Sequence, residues 1–133
     1  MIWSYAAVMA GGGIGSAARL AVAEVIAARY SGGFPLGTLA ANVSGCLLIG
    51  FLATIGGADG RALIGHHGRH FFMIGVLGGY TTFSTFSLQT LHLTQSGQWL
   101  HAGLNIALSI TLCLTGVWLG QVLAHAVNHW LMR

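Results

Sequence analysis

The chain reads as four long apolar runs separated by short polar or glycine-rich breaks. A bilayer core takes about 20 apolar residues per helix, and each run reaches that length, so the pattern predicts four transmembrane helices. The first runs from about Ile2 to about Ala28, with Arg19 and Glu24 toward its far end. At ~1.5 Å per residue, a span starting near Trp3 reaches the opposite interface close to Arg19, where the side chain can snorkel or face a polar vestibule. Tyr30-Ser-Gly-Gly-Phe-Pro35 breaks the run, with Pro35 placed to open the next helix. The second run is about Leu36 to Ile55, and Asn42 is its only strongly polar member. Gly56-Gly-Ala-Asp-Gly60 starts a polar loop carrying Arg61, His66, His67 and Arg69. The third run is about His70 to Leu93, Gln95-Ser-Gly-Gln98 is a turn, and the fourth is about Trp99 to Val127, with Trp130 as an interfacial anchor. Connections this short make neighbouring helices antiparallel, and the length suits one domain.

The third run does not read as a plain membrane helix. Its middle is Gly75-Val-Leu-Gly-Gly-Tyr-Thr-Thr-Phe-Ser-Thr-Phe-Ser87. Gly78 and Gly79 weaken a helix, and β-branched residues stiffen it. The stretch predicts a third helix broken mid-membrane. Broken backbone at that depth is tolerated only where protein or a water-filled cavity satisfies it, so the segment is expected to line something. The break would expose carbonyls near Gly78 to Thr81, which suit a hard cation such as Na⁺. Such an ion would be structural if two copies of the break enclosed it.

Composition narrows the class. Of 133 residues, 55% are hydrophobic and 5% charged, against roughly 25% charged in soluble domains; this is an all-α integral membrane protein. The basic residues are all arginine and form no cluster, so there is no nucleic-acid footprint. Glu24 and Asp59 are the only acids and no Ser/His/Asp cluster appears, so hydrolytic chemistry and carboxylate-based cation transport both lack their usual groups. The protein is not expected to be an enzyme. The N-terminus lacks the basic start of a cleaved signal peptide. Cys46 and Cys113 lie in apolar runs and read as small buried hydrophobes. Gly11-Gly-Gly-Ile-Gly-Ser16 has the look of a phosphate loop, but no acid follows at about 20 residues, and helix packing is the better reading. His66-His67-x-x-His70 and the pair His125 and His129 sit at predicted membrane edges without Cys or acid beside them, so metal binding is not expected there. Gly11 and Gly15, Gly75 and Gly79, and Gly116 and Gly120 have the four-residue spacing that lets helix backbones approach, within one chain or between two. Four thin helices can hardly enclose a conduit while packing on themselves, so a pathway is expected to need a second copy.

The remaining polar residues suit an anion. If helical, Phe83 and Phe86 share one face at i, i+3, among the hydroxyls of Thr82, Ser84, Thr85 and Ser87. Hydroxyls donate to anions, and so does the positive edge of an aromatic ring. Asn42 adds a two-donor amide from the second helix, although a lone buried asparagine more often bonds helix to helix than lines a pore; Asn105, Ser109 and Thr115 add polar groups from the fourth. Such a route, with no lysine, would solvate a small anion loosely enough to release it.

The stretch Gly-Gly-Tyr-Thr-Thr-Phe-Ser-Thr-Phe-Ser, residues 78 to 87, resembles the signature of the small fluoride-channel family (Fluc, also called CrcB). Gly12-Gly-Ile-Gly-Ser-Ala-Ala-Arg19 and Pro35-Leu-Gly-Thr-Leu-Ala-Ala-Asn42, followed by Gly45, agree with it, and the resemblance covers essentially the whole chain. It implies an antiparallel, dual-topology homodimer in the lipid bilayer with two narrow fluoride pores. Phe83 and Phe86 would be the pore phenylalanines and Asn42 the pore asparagine, with Ser84, Thr85 and Ser109 in or beside the polar track. A structural Na⁺ at the dimer interface would be held by the backbone carbonyls of Gly78 and Thr81 from both subunits. Arg19 would match the arginine near the aqueous vestibule. The implied role is passive export of fluoride across the inner membrane of a microbe, as protection from a toxic ion. The chain departs from the pattern at Gln89, where related sequences often have Glu, and at Asn105 and Cys113, where some relatives carry Tyr and Ser.

The main alternative is a small multidrug-resistance-type exporter, which trades protons for cationic compounds through a membrane-embedded carboxylate; Glu24, near a helix end, is its only candidate. A non-transporting assembly subunit packed through its glycine faces is a third reading and leaves the hydroxyl row unexplained. Four spans place both ends of this chain and the middle loop on one side, with Arg61, Arg69 and Arg133, against Arg29 on the other. So small an arginine bias specifies orientation weakly and would let the chain insert both ways. Reporter fusions at the C-terminus are expected to be active on both sides of the membrane; activity on one side only counts against dual insertion.

Overall fold

Helix is the only regular structure among the described residues of this computed structural model, which are 2–55 and 66–131. The elements are α1 (Ile2–Ala27), α2 (Leu36–Ile55), α3 (His66–Arg69), a π-helical segment (His70–Leu77), α4 (Gly78–Tyr80), α5 (Phe83–Gln95) and α6 (Trp99–Leu131). Arg61, Arg133 and the glycine-rich start of the polar loop lie outside the described residues, as do the side chains of His66 and His67. Four stretches are long and apolar enough to cross a membrane: Ile2–Ala27, Leu36–Ile55, His70–Gln95 and Trp99–Trp130. Helix α6 runs past Val127, where the apolar run ends, to Leu131. Its 33 residues make a rod of about 50 Å, longer than a hydrocarbon core of about 30 Å. Hydropathy marks the lipid-embedded part of a helix, whereas its own hydrogen bonds carry it on into the interface.

The ends of the elements have local causes. The Pro35 carbonyl accepts the Leu39 N–H at 3.1 Å and opens α2, since a ring nitrogen has no N–H for a helix start to leave unpaired. At the end of α5 the chain reverses through Gly97, the one positive-φ residue among those described (φ 75°). The Gln98 N–H reaches back to the Leu93 carbonyl at 2.9 Å, the bond of a glycine-terminated helix end. The Gln98 carbonyl then accepts the Ala102 N–H at 3.0 Å and starts α6.

Packing is inside out relative to a soluble protein. The buried line of α6 is Ala102, Asn105, Ser109, Gly116, Gly120 and Ala124, all small or polar, while Leu114, Trp118 and Trp130 are exposed. Lipid is as apolar as leucine, so helices gain little by hiding large apolar side chains from it; close backbone contact and polar bonds hold them together instead. The glycines serve that contact within the chain. Helix α1 lies on the π-helical segment and α4, where a Cβ on Gly15 would run into the Val76 carbonyl and one on Gly79 would lie 3.1 Å from the Gly12 Cα. Helix α2 packs most extensively on α6: a Cβ on Gly50 would lie 3.0 Å from the Val117 Cα, and one on Gly120 would strike the Leu47 carbonyl. The two pairs meet where the α2 residue Gly45 admits the Thr81 methyl and the Tyr80 ring.

Gly120→Ala is therefore expected to lower stability by about 1–3 kcal/mol, the usual cost of overpacking. Gly103→Ala, whose Cβ meets nothing within 4 Å, is expected to be neutral or slightly stabilising. Thermal unfolding of both variants in detergent measures the difference.

Candidate functional site

The polar residues singled out in the sequence gather around two residues of extended backbone. Thr81 (φ −85°, ψ 155°) and Thr82 (φ −153°, ψ 115°) separate α4 from α5. Extended backbone cannot continue the helical ladder, so nearby N–H and C=O groups need other partners. The Asn42 amide supplies two of them. Its Nδ2 donates to the Thr82 carbonyl at 3.1 Å, and its Oδ1 accepts the Thr82 N–H at 2.8 Å. One amide hydrogen of Asn42 stays uncommitted to this pair.

Other groups complete the junction. The Thr82 hydroxyl caps α5 by accepting the Thr85 N–H at 3.2 Å and donates to the Thr85 hydroxyl at 3.0 Å. Thr85 keeps its own hydroxyl hydrogen. Ser84 lies 3.3 Å from the Thr82 hydroxyl. On the α1 side, Arg19 Nε donates to the Gly79 carbonyl at 3.2 Å, and Ser16 Oγ reaches the same oxygen at 3.5 Å. The Thr81 N–H and hydroxyl both go to the Leu77 carbonyl, at 3.0 and 2.9 Å. Two carbonyls lose their regular donors in this arrangement. The Thr82 N–H, four residues beyond Gly78, goes to Asn42, and the Thr85 N–H, four beyond Thr81, goes to the Thr82 hydroxyl.

Phe83 and Phe86 open α5 with ring centroids 5.3 Å apart and planes at 49°. Phe86 is half-buried, whereas Phe83 is 79% exposed. Both line an open groove of about 440 Å³, with Asn42, Thr82 and Ser109. A second cavity, about 300 Å³, is lined by Ser16, Arg19, Thr38, Thr82, Thr85 and Gln89. Thr82 is thus common to both. Arg19 is the only formal charge on the second cavity, because Gln89 is an uncharged amide. The Gln89 Oε1 is buried there and has no hydrogen-bond partner among the described residues.

Not every polar residue of the fourth span joins this site. Asn105 is 1% exposed and donates to the Thr90 hydroxyl at 2.9 Å, which donates to the Phe86 carbonyl at 2.8 Å. It braces α5 against α6 and lines neither cavity, and nor does the exposed Thr115. Ser87 donates to the Phe83 carbonyl at 2.9 Å, within its own helix. Ser16, Thr90 and the pair Ser44–Tyr80, whose hydroxyls lie 2.9 Å apart, were not singled out in the sequence. Two of them carried a usable signal: Ser16 precedes Arg19 by three residues and Thr90 follows Phe86 by four, the spacings that put helical side chains on one face.

Four apolar spans carrying a polar site on adjoining helices define a multi-pass membrane protein. Residues 6–121 match the sequence profile described as CrcB-like protein, Camphor Resistance (CrcB). The chain is 50% identical over 124 residues to a protein of Opitutus terrae, covering 93% of this chain and 94% of that one. It is 52% identical over 125 residues to a protein of Rhodospirillum rubrum, covering 94% and 97%, and 51% identical over 124 residues to one of Methylocella silvestris, covering 93% and 95%. Each of the three is named fluoride-specific ion channel FluC. The chain belongs to the CrcB family.

Asn42→Ala is expected to leave the Thr82 N–H and C=O unpaired and to cost about 1–3 kcal/mol. Asn42→Asp should cost at least as much, because it sets a carboxylate oxygen against the Thr82 carbonyl in place of a donor. Thermal unfolding, with hydrogen exchange at the Thr82 amide, checks both.

Proposed function

We propose that this protein is a fluoride-selective channel that lets fluoride leave the cell passively and so protects it from fluoride toxicity. The observation that carries the reading is the Thr81–Thr82 interruption, taken to lie at mid-membrane, with Phe83, Phe86, Asn42 and Ser109 on one groove beside it. Fluoride is small and strongly hydrated, so a pathway must replace water without trapping the ion. Ring edges of Phe83 and Phe86, the uncommitted amide hydrogen of Asn42 and the hydroxyl of Ser109 offer neutral donors on the groove; the Thr85 hydroxyl offers one on the second cavity, and Ser84 lies beside the track, bonded to Thr82. A full charge in the groove would bind the ion too tightly or repel it; Arg19, on the second cavity, serves as a vestibule that gathers anions. The names of the relatives favour fluoride over other small anions.

The working unit in this reading is an antiparallel, dual-topology homodimer in the inner membrane. Two features support it: a groove open on one side, with Phe83 at its exposed edge, wants a second wall, and the weak arginine bias permits both orientations. A structural Na⁺ at the dimer interface fits the Gly78 and Thr81 carbonyls, whose regular donors are diverted and which offer the hard oxygens this cation prefers. It would hold the two interruptions together by neutralising their carbonyl dipoles. An exporter of cations would need an embedded carboxylate; Glu24, the only acid among the described residues, is exposed on α1 and lines neither cavity.

Liposomes bearing the purified protein are expected to release fluoride, followed with a fluoride electrode, in preference to chloride and without releasing a cationic dye. Phe83→Ile and Phe86→Ile remove the ring edges; at about 1.5 kcal/mol each, that slows release about ten-fold. Release at the parent rate from both variants would overturn the role of the rings.

A further inference from the structure

The chain has two cysteines, both free thiols, and the fold brings them together. Cys46 follows Asn42 by four residues on α2, and Cys113 follows Ser109 by four on α6, so each lies one helical turn along the same face. All four residues line the groove of about 440 Å³. Glycine contacts set how closely the two helices approach here: a Cβ on Gly116 would lie 3.1 Å from the Val43 carbonyl and 3.6 Å from the Cys46 Cβ. Gly116 lies three residues beyond Cys113 on α6, so this contact sets the Cys113 turn of α6 beside the Cys46 turn of α2. Both residues are half-buried and border the groove. The fluoride pathway described above assigns neither of them a role.

The donor set is narrow. No group of three or more His, Cys, Asp or Glu that could hold a metal occurs among the described residues. Tetrahedral zinc needs four ligands, and hard cations need oxygens. Two soft sulfurs on one largely apolar groove instead suit a soft ion that accepts two ligands in line. The other groove residues near them, among them Ile49, Ile110 and Leu114, are apolar and would not compete for the ion.

We propose that Cys46 and Cys113 form a two-thiol site for a soft, linearly coordinated monovalent metal ion of the silver(I) or copper(I) class, and that its occupation closes the groove. Two metal–sulfur bonds form, each thiol gives its proton to water, and no electron is transferred. The resulting bis-thiolate complex carries one negative charge, one turn from Asn42 and Ser109. An anion entering the groove would meet that charge in a medium of low dielectric, where repulsion is strong. The closing effect rests on the channel reading; the metal site itself does not.

Silver nitrate in chloride-free buffer is the probe, titrated calorimetrically into the purified full-length protein. One silver ion per chain is expected, with release of about two protons read from the buffer dependence of the heat. Cys46→Ser and Cys113→Ser should each weaken binding about 100-fold or more, because losing a ligand costs more than losing an outer partner. The alanine variants serve the same comparison if a serine variant folds poorly. Two ions per chain, or parent-like binding by either single variant, would overturn the site. Silver is also expected to slow fluoride release by the parent about ten-fold or more, and not to slow the double variant relative to its own silver-free rate. One-to-one binding with undiminished release would overturn the closing effect alone. Absence of fluoride release before silver is added would count against the channel reading, while the titration still decides the site.

Discussion

A backbone polar group inside a bilayer must be bonded, because no water is there to take it. At Thr81 and Thr82, in the third of the four candidate spans, the helical ladder is interrupted and its polar groups are bonded by side chains from other helices. Where the helical ladder stops, Asn42 offers one donor and one acceptor to a single peptide, the Thr82 hydroxyl caps the next helix, and Arg19 and Ser16 take the Gly79 carbonyl. Each of those bonds comes from a fixed distance, so α1 and α2 must be held where their side chains reach. A misplacement of one ångström would lengthen a 2.8 Å bond beyond useful range.

Small residues supply that precision. In lipid the apolar effect does not drive helices together, and contact depends on how closely backbones fit. Gly15 and Gly79 bring α1 against the third span, and Gly50, Gly116 and Gly120 bring α2 against α6. The two halves are then joined through Gly45, Thr81 and Tyr80 and through the Asn42–Thr82 pair. Asn105 and Thr90 extend the same logic to α5, fixing the turn that carries Phe86. Many large apolar side chains, Leu114, Trp118 and Trp130 among them, are left outside, to face lipid or another protein surface.

The chemistry left open by this scaffold is neutral. Most hydroxyls near the junction are committed to backbone or to one another, which leaves a small number of uncommitted hydrogens, chiefly on Asn42, Thr85 and Ser109, and two ring edges. Arg19 is set on the second cavity, tied through Nε to a carbonyl, and does not line the groove. Weak, spaced donors with a positive charge set aside from them are what the proposed passage of a strongly hydrated anion asks for.

The four spans, the membrane class and the unusual composition of residues 75–87 were all legible in the sequence, because hydropathy length and local backbone preference are properties of a one-dimensional string. So was the importance of Asn42, as a lone amide in an apolar run. Its partner was not: Thr82 lies forty residues away, and reaching it depends on how α2 crosses the third span. The same holds for Asn105, which reads in sequence as part of a polar line with Ser109 but braces Thr90, and for glycine spacings equally suited to contacts within a chain or between chains. The place where α6 ends was missed because a helix outlasts the lipid around it. Sequence set which segments enter the membrane and which of them cannot be ordinary; only tertiary structure decided which polar groups are spent on holding the junction and which are left uncommitted, since that division turns on distances between helices that no single segment encodes.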